Sequence, residues 1–384
     1  MPRSLSDIDR SAAANDLRPS ASFSALKNPQ CNSANTLPVF SGLRPRIWPQ
    51  LLRLAMKRNV GQAPDVWQLS TGLLVLALAL MQAACVTINL PPGPGALEEH
   101  KVSGTGKDKV LLMDVSGVIS SENKDGFYSS PGMLATVKEE LERAAKDERV
   151  KAIVLRINSP GGTVTASDII YHELRNFKTS RKIPIVASIM DVGASGGYYI
   201  AAAADTVLAH PSSVTGSIGV IMLTVNARGL LEKVGVETNA VTSGPRKDMG
   251  SPFRAMLPEE RAIFQGVIDG FYQRFLQVVQ EGRPGMNGET IKKLADGRIY
   301  SGEQAKAAGL VDDIGYLDDA IELAKKKAGL TDAKVVTYRR PGEYQNNVYS
   351  RLVAPAPSLA SLANVDLLSV VRGGSPQFMY LWMP

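Results

Sequence analysis

Ile185-Val186-Ala187-Ser188-Ile189-Met190-Asp191-Val192-Gly193-Ala194-Ser195-Gly196-Gly197-Tyr198-Tyr199 passes from an apolar run through a glycine-rich turn into the helix-like run 198–204. A buried strand that ends in a tight turn and starts a helix is the building unit of a parallel sheet. A serine at such a turn stands where a nucleophile would sit. The chemical question is which group takes its proton.

The same alternation extends on both sides. Residues 110–115 read as a strand and 134–145 as an amphipathic helix. Residues 152–157 are a second strand, ending in Asn158-Ser159-Pro160-Gly161-Gly162, and a helix over about 164–177 leads back to the strand before Ser195. Short strands are expected at 206–209, 220–224 and 237–241. Pro258-Glu259-Glu260 opens the longest helix, since proline and acids favour a first turn. Ile263, Phe264, Val267, Ile268, Phe271 and Phe275 keep helical spacing, which predicts one buried face. From Gly342 periodicity fades, and the chain runs to Phe378-Met379-Tyr380-Leu381-Trp382 near its end. That apolar segment is expected to pack on its own domain, on a neighbour or on lipid.

Three glycine-bearing turns fall at the C-terminal ends of expected strands, where sites of open α/β sheets gather. They are Ser159-Pro160-Gly161-Gly162, Gly193-Ala194-Ser195-Gly196-Gly197 and Thr215-Gly216-Ser217-Ile218-Gly219. Glycines let the backbone approach a ligand closely, and backbone N–H groups aimed at one point stabilise an oxyanion. A single such turn reads as mere turn chemistry; three in succession argue for a site. The chain has three histidines: His100 precedes the domain, His172 lies inside a helix, and His210 ends a strand. Each position suits surface or packing better than catalysis, and Asp191 is too near Ser195 in sequence to fold back easily. Lysine remains, an attested partner of serine. A lysine base must be neutral near pH 7 although its ordinary pKa is about 10.4, which costs roughly 4 kcal/mol. Desolvation supplies shifts of that size.

With Thr242-Ser243-Gly244-Pro245-Arg246-Lys247-Asp248, these turns resemble the signal peptide peptidase A family of serine–lysine peptidases. "NSPGG", "GASGGYYIA", "TGSIGV" and "SG-x-x-KD" occur in family order between about residues 109 and 327. The resemblance implies a Clp/crotonase-like α/β fold, a repeated β-β-α parallel sheet with flanking helices, assembled into an oligomeric ring. Carried over by position, Ser195 is the nucleophile, Lys247 the general base, and Ser217 the hydroxyl that orients the lysine. Gly162 and Gly196 supply the oxyanion-hole N–H groups. Pro245-Arg246 departs from the small or aromatic residues usual before the lysine. One copy of the motif set is present, whereas long-form members carry two halves. The serine and lysine are therefore expected to come from different protomers, against the alternative of a dyad within one chain.

The charge distribution narrows the remaining classes. Of the net charge of +6, five units lie in residues 1–66, with nine Lys/Arg and four Asp/Glu, so the near-neutral body argues against nucleic-acid binding. Both cysteines, Cys31 and Cys85, precede the body, which excludes a disulfide framework or thiolate metal site there. No spacing indicates a metal or nucleotide cofactor. Residues 1–55 are rich in Ser, Ala, Asn and Pro and read as a disordered or untranslated extension, with the signal n-region continuing to residue 66. Met56-Lys57-Arg58, an apolar run at 73–81 and Ala83-Ala84-Cys85 describe a secretory signal starting at Met56. The segment 67–90 is the expected signal or membrane anchor, its apolar core short of the roughly 20 residues of a spanning helix. Small residues before Cys85 resemble a lipoprotein signal, although Gln82 stands where leucine is usual. Lipidation at Cys85, an uncut anchor and plain secretion all place the body outside the cytoplasm. Residues 91–108 are the expected linker, 109–341 the peptidase domain and 342–384 a tail.

The expected function is a membrane-associated serine endopeptidase of the bacterial cell envelope. Its substrates would be remnant signal peptides and other short membrane-released peptides. Two alternatives share the fold: a crotonase-type enzyme acting on coenzyme A thioesters, which needs acid–base carboxylates at the turns, and a scaffold without catalysis.

Overall fold

A computed structural model of the chain describes residues 95–122, 131–341 and 377–383. The extension, the apolar segment 67–90 with Cys85, and most of the tail lie outside these residues.

In chain order the strands β1 (Glu98–Ser103) and β2 (Lys109–Ser116) precede helix α1 (Met133–Lys146). Strands β3 (Val150–Ser159) and β4 (Gly161–Thr163) lead into α2 (Val164–Arg181), and β5 (Ile185–Ala194) into α3 (Gly196–Ala201). Then come β6 (Thr206–Ala209), β7 (Val214–Gly216), β8 (Ile221–Met222), α4 (Arg228–Lys233) and α5 (Pro258–Gly282). The C-terminal part holds α6 (Gly288–Leu294), β9 (Ile299–Ser301), α7 (Gly302–Ala307), β10 (Asp313–Ile314), α8 (Leu317–Lys327), β11 (Lys334–Arg339) and β12 (Phe378–Leu381).

The main sheet runs β1-β11-β2-β3-β5-β6-β10, with β7 branching from β5 and β9 pairing β7. Its centre is parallel, as the alternating order predicts: β2 with β3, β3 with β5, and β5 with both β6 and β7. The central strands are buried on both faces, which explains their unbroken apolar runs. Leu111, Met113, Val115, Ile153, Leu155 and Ile157 pack in one core with residues of α1, α2, α3 and α5. Their neighbours Val110, Leu112, Ala152 and Val154 pack on Leu317, Ala320, Ile321 and Ala324 of α8.

One charged cluster crosses this sheet. Asp114 on β2 accepts from Arg156 Nε on β3 at 2.5 Å and from Arg339 on β11, all three being buried. Burial opposes the Asp114 charge, but Arg339 and Arg156 together hold its carboxyl below the ordinary 3.8.

Four local expectations differ from the structure. The expected linker contains β1, which pairs antiparallel with β11. Residues 237–241 form no strand and are exposed. The strand expected at 220–224 is the two-residue β8. On α5, Phe264 and Phe275 are buried but Ile263 and Val267 are exposed, so the apolar stripe is wider than the domain covers. The apolar C-terminal segment packs on its own domain: β12 lies antiparallel between β4 and β8 as the middle strand of a second, three-stranded sheet.

Candidate active site

Ser195 occupies the one-residue corner between β5 and α3, at φ 52 and ψ −114, although it is not a glycine. Such a conformation is strained for an L-residue and persists only where the surroundings impose it. Two hydrogen bonds do so. The Ser195 N–H donates to Gly216 O at 2.7 Å, and its carbonyl accepts from Tyr199 N–H at 2.9 Å, starting α3. Ser217 is a second serine at positive φ, 49°, with its N–H on Arg298 O at 2.7 Å. The second and third glycine turns are thereby joined through the Ser195–Gly216 bond.

The first turn meets them through backbone proximity. Gly161 has φ +104, and a Cβ built there would lie 2.8 Å from Gly196 N and 1.9 Å from Tyr380 O. A Cβ on Gly162 would lie 1.9 Å from Ile119 O. Only glycines allow β4 to sit this close to the start of α3 and to its neighbours on either side. The structure thus brings the Gly161-Gly162 turn to Gly196 and seats Ser195 beside them. Ser195 and Ser217 line one cavity of about 270 Å³, shared with Gly219, Val220, Ile221, Gly297, Leu381, Trp382 and Met383. Among the described residues, no carboxylate lines it.

The histidines have other company, and His100, expected ahead of the domain, stands on β1 opposite Thr337 of β11. His100 Nε2 lies 3.9 Å from Glu98, His172 Nε2 2.8 Å from Asn176, and His210 Nδ1 2.8 Å from Ser212. Asp191 is engaged by Asn158, whose Nδ2 donates to it at 2.9 Å. Lys247 is exposed in a turn where its N–H donates to Gly244 O at 3.2 Å. It does not line the Ser195 cavity, and its ammonium bonds to no described residue. Four of the five expected catalytic positions therefore converge within one chain, and Lys247 does not.

Sequence reasoning flagged the C-terminal apolar segment without finding its target. Tyr380 is fully buried, stacked on Tyr199 with centroids 5.0 Å apart, 4.7 Å from Phe275, and donating its hydroxyl to Phe271 O at 2.8 Å. Met379, Tyr380 and Leu381 pair with Thr163, Gly162 and Gly161, and Trp382 N–H donates to Pro160 O at 2.8 Å. An extended main chain thus lies along β4 and leads into the Ser195 cavity. The unbroken apolar run 378–382 is the available signal; the strand pairing is long-range and leaves no local trace. Beneath it, burial and then the Tyr199–Asp168 hydrogen bond push the Tyr199 phenol above the ordinary tyrosine range.

Residues 177–331 match the model of peptidase family S49, and residues 131–215 that of the Clp protease, so the sheet is Clp/crotonase-like. The chain is 40% identical over 243 residues to a candidate signal peptide peptidase SppA of Enterococcus faecium, covering 63% of this chain and 70% of that one. It is 41% identical over 229 residues to a candidate protease of Synechocystis, covering 60% of this chain and 78% of that one. To the chloroplastic serine protease SPPA of Arabidopsis thaliana it is 33% identical over 236 residues, 60% of this chain and 34% of that one.

Proposed function

The chain belongs to peptidase family S49, the signal peptide peptidase A family of serine peptidases, and from that premise we propose that it hydrolyses peptides with a Ser195–Lys247 dyad completed by a neighbouring copy. Ser195 Oγ attacks the scissile carbonyl carbon while Lys247 Nζ, neutral at that moment, takes the hydroxyl proton. The negative charge moves to the carbonyl oxygen, where the N–H groups of Gly162 and Gly196 receive it. Collapse breaks the C–N bond, and Lys247 returns the proton to the leaving amine. Water then cleaves the Ser195 ester by the same route, restoring both groups. Ser217 orients the lysine ammonium.

The observation that carries this reading is the strained Ser195 corner beside the oxyanion glycines, in a cavity that no carboxylate lines among the described residues. That lining disfavours thioester enolate chemistry, which requires an acid–base carboxylate. Peptides enter extended, along the β4 and β8 edges that β12 occupies, so substrate and β12 compete for the same hydrogen-bonding groups.

The shared dyad draws support from the segment that bears the lysine. Leu223, Val225, Leu230, Val234, Val236 and Val241 are all exposed, and α4 buries no residue. An arm this apolar suits burial against a second copy. A heterologous contact of serine face to lysine arm repeats from copy to copy and closes as a ring. Whether Cys85 is lipidated after cleavage or the segment 67–90 stays as an uncut anchor, the ring works on the extracytoplasmic side of a bacterial membrane, on remnant signal peptides and similar short segments. Among the described residues no helix is long and apolar enough to cross a membrane.

A serine-reactive phosphonate probe tests the site. Peptide mapping is expected to place the adduct on Ser195, and labelling is expected to vanish in Ser195→Ala. A folded, assembled enzyme that hydrolyses peptide but labels elsewhere would overturn the assignment.

A further inference from the structure

Residues 223–257 are mostly exposed, yet the stretch from Asp248 to Arg254 is half-buried, and one guanidinium accounts for it. Arg254 Nε donates to Asp248 Oδ2 at 2.6 Å and Nη2 to Asp248 Oδ1 at 2.8 Å, a two-pronged pairing with the residue next to Lys247. The same group donates Nη1 to Glu260 Oε2 at 2.9 Å and Nη2 to Glu260 Oε1 at 2.5 Å. Glu260 is 1% exposed and also accepts the Leu257 N–H at 3.0 Å, capping the first turn of α5. Arg254 therefore ties the lysine turn to the longest helix.

We infer that Arg254 is a positioning residue for the reaction: it fixes the Lys247 turn against α5 and occupies the Asp248 carboxylate so that this carboxylate does not pair with the Lys247 ammonium. The inference rests on Lys247 being the base. A base must shed its proton, and a carboxylate free to approach it favours the charged form. Of the other charges on this arm, Arg246 and Arg228 are paired with glutamates, while Glu237 and Lys233 are exposed and form no ion pair among the described residues. Arg246 bonds Glu259 at 3.3 Å, and Arg228 bonds Glu232 at 2.7 Å one turn along α4, beside the groove that Arg254 and Glu237 also line. Bonding to Arg254 also holds both the Asp248 and Glu260 carboxyls below their ordinary values, so both are ionised at neutral pH. A two-pronged arginine contact is not reproduced by lysine, which offers a point charge in place of a planar fork.

The test is the pH dependence of kcat and KM for a fluorogenic peptide, using the full-length assembled enzyme. In Arg254→Gln, kcat is expected to fall about 10- to 100-fold, the scale of a misplaced catalytic group, with KM changed less than about twofold. The acidic limb of kcat/KM is expected to move up by about one pH unit as Asp248 is released toward Lys247. Adding Asp248→Asn to that variant should return the limb to its wild-type position without restoring kcat. Arg254→Lys should recover only part of the loss. Asp248→Asn alone keeps the Arg254–Glu260 bond and should leave the limb in place, which provides a reading even if Arg254→Gln fails to fold. A folded Arg254→Gln with unchanged kcat and limb would overturn the inference, as would an Asp248→Asn limb displaced downward by a full unit. Lys247→Ala, assayed alongside, separates the premise: retained turnover there refutes the base itself, whatever Arg254 does.

Discussion

Replacing Tyr380 with alanine would show how firmly β12 holds its place over the site. The side chain is fully buried, stacks on Tyr199, meets Phe275 and bonds Phe271 O. Truncating a buried aromatic to alanine costs about 3–5 kcal/mol. Against this, β12 has only four residues and is joined to the body by the 35 residues 342–376. For an unconstrained connection, bringing together two points that far apart along the chain costs about 3 kcal/mol in its length-dependent part. The two magnitudes are comparable, so Tyr380 supplies much of what keeps the strand docked. The expected result is that β12 detaches before the domain unfolds. In hydrogen exchange, the amides of Met379, Leu381 and Trp382 should lose protection by roughly a hundredfold or more, since each 1.4 kcal/mol is tenfold. The β3 amides should stay protected and the global denaturation midpoint should shift little. Protection of those three amides within threefold of wild type would refute the reasoning. The same variant frees the β4 and β8 edges, so KM for an extended peptide should fall. An unchanged KM with β12 shown to be detached would mean that substrate uses other edges.

Ser195→Ala and Lys247→Ala should each be inactive, and rings assembled randomly from equal amounts of both should regain activity at about a quarter of sites; inactive mixed rings containing both chains would exclude a shared dyad. Gly161→Ala forces a methyl group to 1.9 Å from Tyr380 O and 2.8 Å from Gly196 N at φ +104, so kcat should drop at least about a hundredfold, and near-normal kcat would count against the proposed oxyanion geometry. Asp114→Asn leaves the buried Arg156 and Arg339 without a counter-charge and should cost about 3–5 kcal/mol in urea unfolding at pH 7. Because folding depresses the Asp114 pKa, its contribution is present above the ordinary 3.8 and is lost as pH falls through the folded value, so wild type and variant should converge in acid; a constant gap would contradict the ionised cluster.

What could be read from sequence was what local patterning encodes. The apolar runs at 152–157 and 185–190 had to be strands buried on both faces, and the glycines after them had to be tight turns at strand ends. Parallel order followed from alternation with helices, and the serine turn from its place between strand and helix. Even the lack of a nearby histidine was legible. The tertiary structure decided what depends on contacts distant in sequence. The β12 pairing joins residue 380 to residue 162, and strand edges accept any backbone of suitable shape, so no periodicity announces the partner. The strand β1 falls within the expected linker because its largely exposed, polar residues look the same as those of a tether. Residues 237–241 differ from the strand expected there: Glu237, Asn239 and Ala240 disfavour strand, and the segment stands exposed outside the described sheets. The strain at Ser195 and Ser217 is likewise tertiary: a serine takes positive φ only when hydrogen bonds to Gly216 and Arg298 from other segments impose it. Lys247 marks the boundary between the two kinds of knowledge. Its motif names it, but its distance from Ser195 is a property of packing, and the fold of one chain leaves it outside the cavity that Ser195 lines.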